Sequence, residues 1–157
     1  MKKTTIYYLL SFMMAFMMMS CKVQKADQLL YSNYSTRAIA SENGGSYVLR
    51  VQGKGTSRAM ATENALKQAA RDVIFTDVHT AYGDHKPLMR LITDPTTERK
   101  NEAFFNNFFS NNGGYQNFVR GEKKDQEYYS EDSKNTVIMN VVVDRAALKE
   151  YLKSQGF

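Results

Sequence analysis

Alternation of apolar and polar positions is clearest at two places. From Tyr47 to Gln52, the residues Tyr47, Leu49 and Val51 share one face, and Gly53-Lys54-Gly55 closes the run. From Thr136 to Val143, Val137, Met139, Val141 and Val143 share a face while Ile138 and Val142 occupy the other. A period of two is that of a strand, because successive side chains point to opposite faces. Apolar residues on both faces predict that the second strand is central in its sheet. The period changes after the glycines. Thr56 or Ser57 can cap a helix in which Ala59, Ala65, Leu66, Ala69, Ala70 and Val73 fall on one arc and Glu63, Asn64, Lys67, Gln68 and Arg71 on the other. Four alanines in that stripe let the helix axis lie close to a sheet, and Glu63 precedes Lys67 in the favourable order for a helical ion pair.

The other elements are marked by punctuation. Ile74 to Ile92 has no period, is broken by Gly83, Asp84 and Pro87, and reads as a long loop. Asp94-Pro95 offers an N-cap and a first-turn proline for a second helix that carries Phe104, Phe105, Phe108 and Phe109 and ends at Asn112-Gly113-Gly114. Tyr115 to Arg120 and Glu127 to Tyr129 predict a strand pair or one long bent strand. Asp144 caps a last helix with Ala147, Leu148, Tyr151 and Leu152 inward, stopped by Gly156. The expected fold is α+β: a single small domain from Ser46 to Phe157, with a mainly antiparallel sheet of three to four strands covered by two to three helices.

The chain ahead of this domain has a different pattern. Lys2 and Lys3 precede an apolar run from Ile6 to Met19, followed by Ser20 and Cys21. That order is an export signal over residues 1–20. The run is shorter than the roughly 20 residues needed to cross about 30 Å of hydrocarbon. Met18-Met19-Ser20-Cys21 resembles the lipobox of bacterial lipoproteins, with a small residue directly before the cysteine and Met in place of the usual Leu and Ala. The resemblance implies cleavage between Ser20 and Cys21 and lipid on the Cys21 thiol, the strongest nucleophile available there. Cys21 is the single cysteine of the chain, so an exported product carries no disulfide. Residues 21–45 are polar, with Leu29, Leu30 and Tyr31 as their one hydrophobic cluster, and read as a lipidated N-terminus and tether. Lys22 after the cysteine lacks the Asp that resembles an inner-membrane retention signal. The expected location is the outer membrane, on its periplasmic face.

Charge adds little. The formal net charge of +5 includes Lys2 and Lys3, which leave with the signal, and the remainder does not argue for nucleic acid. Membrane attachment is through the N-terminal lipid, since acyl chains contribute about 0.8 kcal/mol per buried CH₂.

The strand ending in Gly-x-Gly, the alanine-striped helix, the valine-rich later strand and the short closing helix resemble small envelope lipoproteins of the Lpp-twenty type, and are similar to the N-terminal domain of flagellar assembly protein T. Val51, Gly53, Gly55, Ala61, Ala65, Ala69 and Val137 to Val143 carry the resemblance. The order Asp72-Val73-Ile74-Phe75, Pro87-Leu88, Phe105, Phe108-Phe109, Tyr115 and Phe118-Val119 resembles uncharacterised Bacteroidota lipoproteins. These likenesses imply an α+β domain with an envelope role, and they bring no catalytic residues.

Candidate chemistry is sparse. Asp77, His79, Asp84 and His85 lie within a short span and include both histidines, so nitrogen and oxygen ligands for a divalent metal can be drawn, although a polar exposed loop explains them equally well. Gly53-Lys54-Gly55-Thr56-Ser57 joins a strand to a helix, where amides can cradle phosphate, but Lys54 stands before the second glycine instead of after it, unlike a phosphate-binding P-loop. Phe104, Phe105, Phe108 and Phe109 are either core or a partner or ligand surface. Glu131 and Asp132 fall in an expected turn, and Glu122 to Asp125 form a mixed-charge run. No serine, histidine and acid stand in a nucleophile motif, so the expectation is a protein without catalysis or cofactor, acting through an envelope protein partner or a small apolar or anionic ligand.

Overall fold

Both alternating segments are strands, and they pair with each other. The computed structural model describes residues 36–81, 86–131 and 134–157, which form β1 (Arg37–Glu42), β2 (Ser46–Gly55), α1 (Arg58–Phe75), β3 (His79–Thr80), α2 (Thr97–Lys100), α3 (Glu102–Phe108), a 3₁₀ turn (Gly114–Asn117), β4 (Val119–Gly121), β5 (Glu127–Glu131), β6 (Lys134–Asp144) and α4 (Arg145–Ser154). β2 and β6 are antiparallel in unbroken register from Ser46↔Asp144 to Gly55↔Asn135. The sheet order is β3-β1-β2-β6-β4, with β5 also on β6. Among the described strands only the β1–β3 pair is parallel. The fold is α+β, as expected, with six strands where three to four were anticipated.

β6 is central for the reason its sequence suggests. Val137, Met139, Val141 and Val143 are buried in the main core, and Ile138, Asn140 and Val142 are buried as well. Its partner on one edge is β2, and on the other β4 and β5 lie one beyond the other. The segments 115–120 and 127–129 therefore do not pair together. Residues 114–117 are a 3₁₀ turn, and from Val119 to Glu131 the chain runs along β6 with an interruption at 122–126. There Asp125 takes a left-handed φ of 59°, and its carbonyl accepts from the Arg50 guanidinium, which also pairs with Glu127 and donates to Asn140 Oδ1 at 3.1 Å. That last bond satisfies one of the few buried polar side chains.

The sheet begins ahead of the Ser46 boundary expected from sequence. Arg37–Glu42 pairs with β2 over Arg50 to Ser46, so part of the expected tether is strand. Small Ala38, Ala40 and Ser41 gave no strong apolar alternation, which is why the segment read as a linker.

α1 lies against Leu49 and Val51 of β2 through Ala61, Ala65, Ala69 and Val73. This stripe has a step of four, and Ala59, placed inward by the sequence reading, is exposed. Ser57 is the cap, its Oγ accepting from Met60 N at 3.2 Å, and Glu63 pairs with Lys67 at 3.2 Å. Gly53 and Gly55 are the end of β2 and not a turn. A Cβ on Gly53 would lie 2.1 Å from Ala61 O and 2.4 Å from Ala65 N. Helix backbone thus rests on strand backbone, a separation that only glycine opposite alanine permits.

Near the end of α1, Asp72 is buried. It accepts from Gln68 Nε2 at 2.8 Å and from the Thr36 hydroxyl, tying the start of β1 to the helix. Burial pushes its carboxyl above the ordinary 3.8, against the lowering effect of those bonds and of Arg71. A raised folded-state value means that Asp72 favours folding most when protonated, and that this contribution is lost as pH rises from about 3.8 through the folded value. Asp72→Asn keeps a carbonyl acceptor for Gln68 and an amide donor for the Thr36 oxygen. Its expected result is stability at pH 7 equal to or above wild type and a flatter acid-side profile, measured by urea unfolding from pH 4 to 7. A loss at pH 7 matching that of a buried-bond deletion, about 1–3 kcal/mol, would contradict it.

The second helix of the sequence reading is two pieces. Asp94 accepts from Thr96 N at 2.8 Å and Thr96 Oγ1 at 2.7 Å, which holds its carboxyl down at about 2 and starts the turn, but Asn101 leaves helical geometry between α2 and α3. Ile74 to Ile92 is not all loop: it includes β3, a bridge between Val78 and Leu88, and a return beside α1 where Leu91 N and Ile92 N donate to Val73 O and Ile74 O. α4 is capped by Asp144, which accepts from Ala147 N at 2.9 Å, and buries Leu148 and Leu152 while Ala147 is exposed. It ends in a Schellman turn: Gly156 at φ 94° donates to Lys153 O, and Phe157 N donates to Leu152 O. That turn folds Phe157 back among the phenylalanines.

Candidate functional site

Phe105 and Phe108 are 2% and 3% exposed, so neither can present a docking face. Phe104 and Phe109 are half-buried at the rim. The four belong to an aromatic layer closed by neighbours from other elements. Phe105 meets Phe75 at 5.0 Å and Phe157 at 5.1 Å between ring centroids, Phe104 meets Phe157 at 4.9 Å, and Phe118 meets Tyr151 at 5.2 Å. The stripe is core. Tyr115, fully buried beside it, has its hydroxyl 3.4 Å from Glu63 Oε1, and burial raises its phenol above the ordinary value.

The other sequence candidates form no site among the described residues. Asp77 accepts from Arg90 N at 2.9 Å and pairs with the Arg90 side chain at 3.4 Å, while His79 is exposed on β3. Asp84 and His85 lie outside the described residues, as do Ser20, Cys21 and Asp132. Among the described residues no three His, Cys, Asp or Glu side chains stand together. Gly53 and Gly55 are paired with Val137 and Asn135 and face the α1 backbone, which leaves no phosphate cradle between them. Glu122 is half-buried and Glu131 exposed, and neither belongs to a cluster of three or more His, Cys, Asp or Glu side chains among the described residues.

What the sequence did not disclose is a cleft of about 560 Å³ at the β1 side of the sheet. Its floor is Ala38 to Ser41 of β1 with Tyr47 from β2, and its wall is Lys86 to Met89. Arg145, the first residue of α4, closes one end. Arg145 Nη2 donates to Met89 O at 2.8 Å, and its Nε is buried without an acceptor. Met89 is 57% exposed, the most exposed of the large apolar side chains described. Neither Lys86 nor Arg145 is in an ion pair among the described residues. The sequence held one hint, an apolar Pro87-Leu88-Met89 between Lys86 and Arg90 inside a segment otherwise read as loop. The cleft needs β1 for its floor, and β1 was not expected.

Among the described residues no helix is long and apolar enough to cross a membrane. No protein-family model matches the chain, and no curated protein or solved structure is significantly similar to it.

Proposed function

We propose that this chain is an accessory lipoprotein of the cell envelope, exported by residues 1–20, acylated on Cys21 and held at the periplasmic face of the outer membrane. It works there by holding another envelope protein, without catalysis. One observation carries the reading: the order Lys2-Lys3, apolar Ile6 to Met19, then Ser20-Cys21. Short basic and apolar segments before a small residue and a cysteine meet the needs of export and thiol acylation in turn. The domain need supply no membrane affinity of its own, because two or three acyl chains outweigh a few surface lysines. Phe105 and Phe108 are buried in the core, and the surface that would hold the partner is an edge of the sheet, beside β1 or beside β4 and β5.

Mass spectrometry of the N-terminal peptide from the membrane fraction is expected to find Cys21 first and diacylglyceryl-modified, and Cys21→Ser is expected to leave the precursor uncleaved and unlabelled by alkyne palmitate. An unmodified Cys21, or a mature N-terminus elsewhere, would sink the proposal. Crosslinking in intact cells with Cys21 retained then identifies the partner.

A second reading, a binding module for a small apolar or anionic envelope ligand, is favoured by the cleft at β1, which combines apolar walls with two cations outside any described ion pair.

A further inference from the structure

Arg145 is placed unlike the other basic residues. It follows Asp144, whose carboxylate caps α4 by accepting from Ala147 N, and the formal positive charge at the cleft is that of the Arg145 and Lys86 side chains. One face of the guanidinium is tied to Met89 O, and the buried Nε–H lacks an acceptor. That Nε–H is enclosed by protein, so what Arg145 offers the cleft it lines is the charge of its guanidinium, for which an anionic oxygen is the best-fitting partner. Lys86 adds a second cation on the same cleft. Away from them Ile39, Pro87 and the exposed Met89 supply apolar wall, with the hydroxyl residues Ser41 and Thr80 among them. The volume, about 560 Å³, is that of a small-molecule site.

We infer that this cleft binds an amphiphile with an anionic head, of the long-chain carboxylate class, its head on Arg145 and Lys86 and its chain along Ile39, Pro87 and Met89. The inference rests on the second reading above and names its ligand. A strand-adding peptide fits less well. β3 covers β1 at Arg37 and Ala38, leaving the rest of that edge uncovered by β3, but the β1–β2 register shifts between Ala38 and Ala40. Such an irregularity bends a strand and blunts its edge for further pairing.

The full chain, in cell membranes, is treated with a diazirine-bearing palmitate analogue, irradiated, and its crosslinks mapped by mass spectrometry. Crosslinks are expected within residues 38–41 and 86–89, weakened about tenfold by Lys86→Glu and by Arg145→Gln, and about tenfold weaker with the diazirine alcohol of equal length. Lys86 is exposed, so Lys86→Glu keeps the fold, which circular dichroism checks. Equal labelling by the alcohol, or labelling unchanged in Lys86→Glu, overturns the anionic head and leaves a module for apolar ligands. Crosslinks confined to other segments overturn this cleft. No lipid crosslink anywhere on the chain overturns both the inference and the reading beneath it.

Discussion

Gly53→Ala is expected to destabilise the domain by at least about 3 kcal/mol, at or beyond the upper end of ordinary overpacking, and Gly53→Val to prevent folding. The added Cβ would stand 2.1 Å from Ala61 O and 2.4 Å from Ala65 N, and both are helix backbone. A clash with a flexible side-chain tip is relieved by a rotamer change, as at Gly121, where the nearest atom is Met139 Cε. Here relief requires α1 to lift from β2, and with it the packing of Ala65, Ala69 and Val73 on Leu49, Val51 and the β6 valines. Gly55→Ala meets Ala61 N at 2.6 Å and takes the same course. Lys54→Ala, between them and exposed, is the control and should change stability by less than about 0.5 kcal/mol. Urea unfolding followed by circular dichroism reads all four. Were Gly53-Lys54-Gly55 an ordinary connecting turn, Gly53→Ala would cost no more than Lys54→Ala, and the close helix–strand contact would be wrong.

The same residues show what a sequence discloses and what it hides. β2, α1, β6 and α4 were legible because each buries a regular stripe, period two in the strands and near 3.6 in the helices, and because Ser57, Asp144 and Gly156 mark their ends. The role of Gly53 was not legible. A glycine pair between a strand and a helix signals a turn locally, and only the position of α1 across the strand turns it into a contact. β1 failed for the opposite reason. Its alanines and serine bury little, and its strand geometry comes from hydrogen bonding to β2, a nonlocal cause. The split between α2 and α3 has a local cause that the pattern concealed: Asn101, at φ −122° and ψ 38°, leaves helical geometry just before the phenylalanines. The cleft combines β1, the 86–89 wall and Arg145, three segments far apart in the chain, and no short motif joins them.

Phe105→Ser is expected to cost about 3–5 kcal/mol, and Phe109→Ser markedly less. Phe105 is 2% exposed and packed by Phe75, Phe104, Phe109 and Phe157, so truncation leaves a cavity enclosed by rigid rings and buries a hydroxyl within it. Phe109 is half-buried at the rim, beside Phe108 at 5.0 Å, with the Arg71 guanidinium 5.8 Å from its ring, and a serine there reaches water. Deleting Phe157 should fall between the two. The deletion removes two edges of the aromatic layer and the last bond of the Schellman turn, but exposes the gap to solvent instead of sealing it. The order Phe105 above Phe157 above Phe109, measured as urea midpoints at constant slope, is what a core gives. A docking face gives another order: both serine variants would fold with wild-type midpoints while crosslinking to the envelope partner fell. That outcome would return the phenylalanines to the surface and make them, in place of a sheet edge, the proposed docking face.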